Sequence, residues 1–119
     1  VRVFCIENDK ETLAALSELL NGWGMDVISA GNISEFNQLA TITADIDSIL
    51  ADYHLEENQS GADLIQELRR VLQAQVPAVV LSADTSGEAK EAAQRIGAIF
   101  QHKPAKPAVL RALITQLIS

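Results

Sequence analysis

Cysteine occurs once in the chain, and that scarcity removes several chemistries together. Cys5 has no partner for an internal disulfide, and inside the apolar run Val3-Phe4-Cys5-Ile6 it reads as a buried structural thiol suited to a reducing cytoplasm. Basic residues are also few. Nine Lys and Arg against sixteen Asp and Glu give a net charge of −7 and a pI near 4.6. That balance argues against nucleic acid as a direct partner, because phosphate backbones select basic surfaces. No apolar run approaches the roughly 20 residues of a membrane span, so no membrane contact is expected of the domain. The start lacks the pattern of a signal peptide, and a chain opening at Val1 reads as a trimmed segment. A Gly-rich dinucleotide fingerprint is absent, and so is any His or Cys pair at metal-ligand spacing. Repeats, low-complexity tracts and linkers are missing too.

What is present fits one domain over residues 1–119. An apolar fraction of 48% and a mean hydropathy of +0.12 are enough for a single continuous core. Short apolar runs alternate with helix-length segments, the pattern of an α/β domain whose buried strands run parallel. Strands are expected near 2–6, 26–30, 47–51, 77–82 and 98–101. The first helix, about Lys10 to Leu20, carries Leu13, Leu16 and Leu20 on one face and should stop at Asn21-Gly22. The second spans about Ser34 to Ile42. The third has a stripe of Leu64, Ile65, Leu68 and Leu72 with Ser60 as N-cap. The fourth, about Gly87 to Ile96, has a face of Ala89, Ala92 and Ala93, and Thr85 and Glu88 stand at capping-box spacing before it. The fifth begins at Pro107 and buries Leu110, Leu113, Ile114 and Leu117.

Four apolar runs end in polar groups. They lead into Glu7-Asn8-Asp9, Asp52, Ser82-Ala83-Asp84 and Gln101-His102-Lys103-Pro104. In parallel sheets, binding and chemistry gather outside the carboxyl ends of the strands, so these groups should share one rim. A carboxylate there can act as a nucleophile toward a phosphoryl group, provided a cation offsets the repulsion between two anions.

In that arrangement the whole chain resembles the phosphoacceptor receiver domain of two-component signalling, found widely in bacterial response regulators. Its first third, from Phe4-Cys5-Ile6-Glu7-Asn8 to Asn21-Gly22-Trp23-Gly24, is similar to receivers fused to hybrid sensor histidine kinases. The resemblance implies a flavodoxin-like, doubly wound, five-stranded parallel sheet of order 2-1-3-4-5 with five helices. It implies that Asp52 accepts a phosphoryl group from a histidine kinase or a histidine phosphotransfer protein. It also implies Mg²⁺ held by Glu7, Asn8, Asp52 and the backbone carbonyl of His54. Ser82 would hydrogen-bond the phosphoryl group, Lys103 would pair with it, and the Lys103–Pro104 bond would be cis. Phe100 would turn inward on activation, although core packing is its plain alternative and the two roles are compatible. The signalling surface would be the face of the fourth helix, fifth strand and fifth helix, with room for a homodimer there.

The chain departs from the family at Asn8, where an amide replaces an acid and offers an oxygen without charge. Asp9 reads as a cap of the first helix, His54 and His102 as flanking residues, and Trp23 as local packing. Asn8 motivates a second function, a degenerate receiver acting as a phosphorylation-independent interaction domain. A phosphohydrolase of the Asp-x-Asp type would require an acid where His54 stands, and a flavin-binding relative would require hydroxyl donors where Glu7-Asn8-Asp9 stands. The module itself is expected to accept phosphate, with any kinase activity lying in a parent hybrid chain.

Overall fold

The computed structural model describes residues 1–40, 45–55 and 59–118. Five strands and five helices alternate: β1 (Arg2–Ile6), α1 (Lys10–Gly22), β2 (Asp26–Ala30), α2 (Ile33–Ala40), β3 (Ser48–Asp52), α3 (Gly61–Leu72), β4 (Ala78–Ser82), α4 (Glu88–Arg95), β5 (Ile99–His102) and α5 (Pro107–Ile118). All strand pairs are parallel, in the order β2-β1-β3-β4-β5.

Period-two alternation in the central strands feeds two cores, one on each side of the sheet. Phe4, Ile6, Ile49, Ala51 and Val80 join Phe36, Leu64, Ile65, Leu68 and Ala93 under α2, α3 and α4. Val3, Cys5, Leu50, Val79 and Leu81 join Leu20, Leu110 and Ile114 under α1 and α5. Cys5 is fully buried and unpaired, and burial pushes its thiol up to about 12, so it is inert packing. Trp23 is half-buried against the α1–α5 core, with the Arg111 guanidinium 5.4 Å from its ring centre.

The strands sit within one residue of expectation, and the shifts matter at two ends. Asp52 closes β3, where the sequence pattern had it just beyond the strand, and His102 closes β5. Helix α1 continues through Gly22, and the left-handed turn falls on Gly24 at φ 82°. Asp9 occupies its N-cap position as expected, and its carboxylate accepts the Thr12 hydroxyl. Ser60 caps α3 as expected, with Asp63 completing a reciprocal capping box. The expected box at Thr85 and Glu88 does not form. Gly87 is the N-cap of α4 at φ 89°, a conformation open to glycine, and the turn before it is organised by Asp84 accepting from the N–H and hydroxyl of Ser86. Helix α2 begins at Ile33, and the last two residues expected in it lie outside the described ones. On α5, Leu110 and Ile114 are buried, while Leu113 and Leu117 are half-buried against the same core.

Arg69 is a contact between elements that no sequence pattern announced. It is 9% exposed, donates from Nε to the Val76 carbonyl at 2.9 Å and from Nη1 to the Ile96 carbonyl at 2.6 Å, and so ties α3 to the approach of β4 and the end of α4.

Candidate functional site

The polar groups that follow β1, β3, β4 and β5 do meet at one rim. Glu7 is 2% exposed, and its backbone N–H still donates to the Ala30 carbonyl of β2 at 3.1 Å. Glu7 Oε1 accepts the Asp9 N–H at 3.1 Å, and Glu7 Oε2 meets Lys103 Nζ at 2.9 Å. The same ammonium is 3.3 Å from Asp52 Oδ1, and Asp52 is 6% exposed. One cation thus sits between two buried carboxylates.

That arithmetic of charge sets the protonation of Asp52. Burial disfavours its anion, the neighbouring Glu7 charge adds to the effect, and Lys103 offsets only part of it. The result is a carboxyl raised from 3.8 to about 6. Burial alone would lower the Lys103 ammonium, but its hydrogen bond with Glu7 and the charges of Asp52 and Glu7 outweigh burial and hold it above its ordinary value.

Lys103 reaches this point because its backbone is fixed. Its N–H donates to the Ser82 carbonyl at 2.9 Å, and the Lys103–Pro104 bond is cis, as the resemblance implied. Ser82 is fully buried at the end of β4, and its Oγ accepts the Asp84 N–H at 3.0 Å. Asn8 is exposed at the same rim. The His54 side chain is largely exposed with Nε2 3.8 Å from Asp84 Oδ2, while its backbone bridges to Ser60. Phe100 is half-buried at the edge of the α2–α3–α4 core, edge-on to His102 with ring centres 5.2 Å apart. His102 itself is exposed. Among the described residues no three His, Cys, Asp or Glu side chains are grouped to hold a metal ion. Any cation here would have to combine Glu7 and Asp52 with neutral oxygens and water.

The family model for the response regulator receiver domain matches residues 3–115. The chain belongs to that family. Solved receiver structures superpose closely on this receiver domain. A response regulator receiver domain protein from Clostridium thermocellum gives a TM-score of 0.88 at 21% identity, covering 99% of this chain and 94% of the other. The receiver domain of the Francisella response regulator 1452 gives 0.82 at 24% identity, covering 98% and 95%. The receiver domain of the hybrid histidine kinase CckA gives 0.81 at 21% identity, covering both chains fully. At these identities the likeness is one of fold: the flavodoxin-like receiver architecture with sheet order 2-1-3-4-5. No curated protein sequence gives a significant match. Among the described residues no helix is long and apolar enough to cross a membrane.

Two features of the rim escaped sequence reading. Gly61, the first residue of α3, packs so tightly on β3 that a Cβ there would stand 2.2 Å from the Asp52 carbonyl oxygen and 3.2 Å from the Ala51 side chain. Its N–H also donates to the Tyr53 carbonyl at 2.9 Å. Glycine therefore sets how closely α3 approaches the backbone of Asp52. Ser60 is legible as the N-cap, but nothing in the spacing shows that the residue after it must lack a side chain. The second feature is the Glu7–Lys103 ion pair, which joins residues 96 positions apart.

Proposed function

We propose that this receiver works in a phosphorelay, with Asp52 taking a phosphoryl group from a phosphohistidine on a histidine kinase or histidine phosphotransfer protein in the cytoplasm. The observation that carries the reading is the placement of Lys103 Nζ, 2.9 Å from Glu7 and 3.3 Å from Asp52. A carboxylate, a fixed ammonium and a second acid at one strand-end rim are what anion-to-anion transfer needs. An oxygen of Asp52 bonds to phosphorus as the P–N bond to the partner's imidazole breaks, and the electron pair leaves with the imidazole nitrogen. Lys103 exchanges its contact with Glu7 for a phosphoryl oxygen.

Mg²⁺ fits this donor set. Two buried carboxylates share a single ammonium, so negative charge is left over, and Mg²⁺ accepts one or two carboxylates while keeping several waters. Glu7, Asp52, the Asn8 amide oxygen and the His54 carbonyl would hold it, and when bound it supplies the charge that neutralises the transferring oxygens. Ser82 Oγ already accepts the Asp84 N–H, which leaves its own proton to donate to the phosphoryl group. That contact pulls on the turn leading to α4, and Phe100 beside it carries the change to the α4–β5–α5 face. A homodimer through that face is one consequence, and the resemblance of residues 4–24 to receivers fused to sensor kinases supports a hybrid kinase as parent chain.

A second reading, interaction without phosphorylation, is favoured by one observation: Asn8 is neutral and exposed, and no three-ligand acidic group forms among the described residues. Intact-mass measurement after acetyl phosphate treatment, with and without Mg²⁺, separates the two. We expect wild type to gain one phosphoryl group only with the metal, and Asp52→Asn to gain none. Equal labelling of both proteins, or none of either, would leave the interaction-only domain as the better account.

A further inference from the structure

The opposite end of the domain, where strands begin and helices finish, carries a second concentration of charge. An open cleft of about 550 Å³ lies between the C-terminal ends of α3 and α4, lined by Gln66, Arg69, Arg70, Gln73, Gln75 and Arg95 among others. Three of the chain's nine cations line this one cavity, in a domain of net charge −7, and no acidic side chain lines it. Glu67, one position from the lining, compensates only Arg70, accepting Nε at 3.1 Å and pairing with Nη2. Arg95 has no ion-pair partner among the described residues. Arg69 is the built element: nine-tenths buried, with Nε and Nη1 locked on the Val76 and Ile96 carbonyls and no carboxylate partner among the described residues. Burial without a counter-charge lowers its guanidinium pKa.

The plain account of arginines in a last helical turn is that they complement the helix dipole. Arg69 does so through the carbonyls it binds. Arg95, with Arg70 and three glutamine amides around it, adds donors beyond that need. Guanidinium forks and amides match oxygens in pairs, and the size suits a small ligand.

We propose that this cleft is a binding site for a small multivalent oxyanion, phosphoryl or carboxylate, on Arg95, Arg70 and the outer edge of Arg69. It lies at the far end from Asp52 and does not depend on phosphorylation there. The test uses amide and arginine side-chain spectra of the 119-residue chain without metal, titrated separately with pyrophosphate and with citrate at constant ionic strength. We expect saturable shifts centred on Gln66, Gln73 and Arg95 with at least one of the two. Tighter pyrophosphate binding assigns the phosphoryl class, and tighter citrate binding the carboxylate class. Arg95→Gln should weaken binding about tenfold, the loss of one charge-assisted contact. Glu67→Gln should tighten it several-fold, because it releases Arg70 and removes the negative charge paired with it. Arg69 is left intact because it holds backbone carbonyls. Non-saturating shifts with both anions, shifts centred on Lys103, or equal affinity in wild type and both well-folded variants would overturn the proposal.

Discussion

Two cations sit at opposite ends of this domain, and they are held by opposite means. Lys103, at the strand-end rim, lies between two carboxylates whose combined charge exceeds its own. Arg69, at the base, lies against two backbone carbonyls that carry no formal charge. The first arrangement leaves surplus negative charge and the second leaves surplus positive charge. A structural contact tends toward full satisfaction, so imbalance of this kind marks where a ligand can enter. Arg69 adds a structural duty that Lys103 lacks, because its removal strands the buried Val76 carbonyl and the half-buried Ile96 carbonyl.

Replacing each cation by methionine should separate the two duties. Arg69→Met leaves the Val76 and Ile96 carbonyls without donors, and at one to two kcal/mol per stranded group we expect a loss of about 3 kcal/mol, nearly independent of pH. Lys103→Met should keep the fold and cost less, because Asp52 can take up a proton when the ammonium is gone. Its cost should be small below the wild-type Asp52 value of about 6 and grow above it. Phosphorylation should survive in the Arg69 variant, and in the Lys103 variant it should no longer move the α4–β5 resonances on beryllofluoride addition. Urea unfolding at several pH values measures the first pair of effects. A pH-independent loss in Lys103→Met would show that the ammonium does not help set the charge of Asp52.

The burial of Asp52, with the Glu7 charge beside it, should itself appear as a stability cost. The folded Asp52 carboxyl is raised above its unfolded value, so the native state binds this proton more tightly. Stability is then fully present below about 3.8 and is lost as pH rises through about 6. The shift corresponds to at most about 3 kcal/mol in the metal-free protein. Asp52→Asn removes the titrating group. The variant should therefore gain on wild type between those two pH values and hold a constant advantage above them. Denaturant midpoints in chelator decide it, and parallel curves for the two proteins would mean that Asp52 is not strained by its surroundings.

Gly61→Ala tests the rim's geometry without altering its charge. The added methyl would meet the Asp52 carbonyl oxygen at 2.2 Å, and that obstacle is backbone rather than a flexible side chain. We expect a loss of about 2 kcal/mol from overpacking, together with slower labelling of Asp52, because α3 must move away from β3. Unchanged stability would place the start of α3 further from Asp52 than this structure has it.

How much of this was legible in the sequence follows from which interactions are local. The strands were readable because each central run is apolar on both faces, and the helices because Leu64, Ile65, Leu68 and Leu110, Ile114 repeat at helical spacing. The polar residues Glu7, Asp52, Ser82 and Lys103 were readable as strand ends, and the parallel topology then brings them together. The Glu7–Lys103 pair spans 96 positions, so no window could show it. Gly61 and Gly87 were opaque because their requirement is steric: an approaching backbone in one case and a positive φ in the other. Arg69 looked like any basic residue ending a helix, and only the fold supplied the carbonyls that bury it. The Thr85–Glu88 expectation failed because Asp84 and Ser86 captured the turn first.

The smallest expected effect concerns the departure at position 8, and it asks how far the rim's surplus charge can be increased. Asn8 is exposed beside a buried acid pair and offers an amide oxygen in place of a carboxylate. Asn8→Asp would add a negative charge near any cation bound there. At ~4 Å and an effective dielectric of ~20 the Coulomb gain is about 4 kcal/mol, before desolvation and repulsion from Glu7 and Asp52 are subtracted. If about a third survives, Mg²⁺ binds roughly tenfold more tightly, since 1.4 kcal/mol is one decade. The same repulsion should make the metal-free variant slightly less stable than wild type, so the two changes carry opposite signs. Calorimetric titration of Mg²⁺ measures the first, and urea unfolding in chelator the second. Unchanged Mg²⁺ affinity with lowered stability would mean that position 8 feels the acid pair but does not face the metal, and Asn8 would then leave the proposed ligand set.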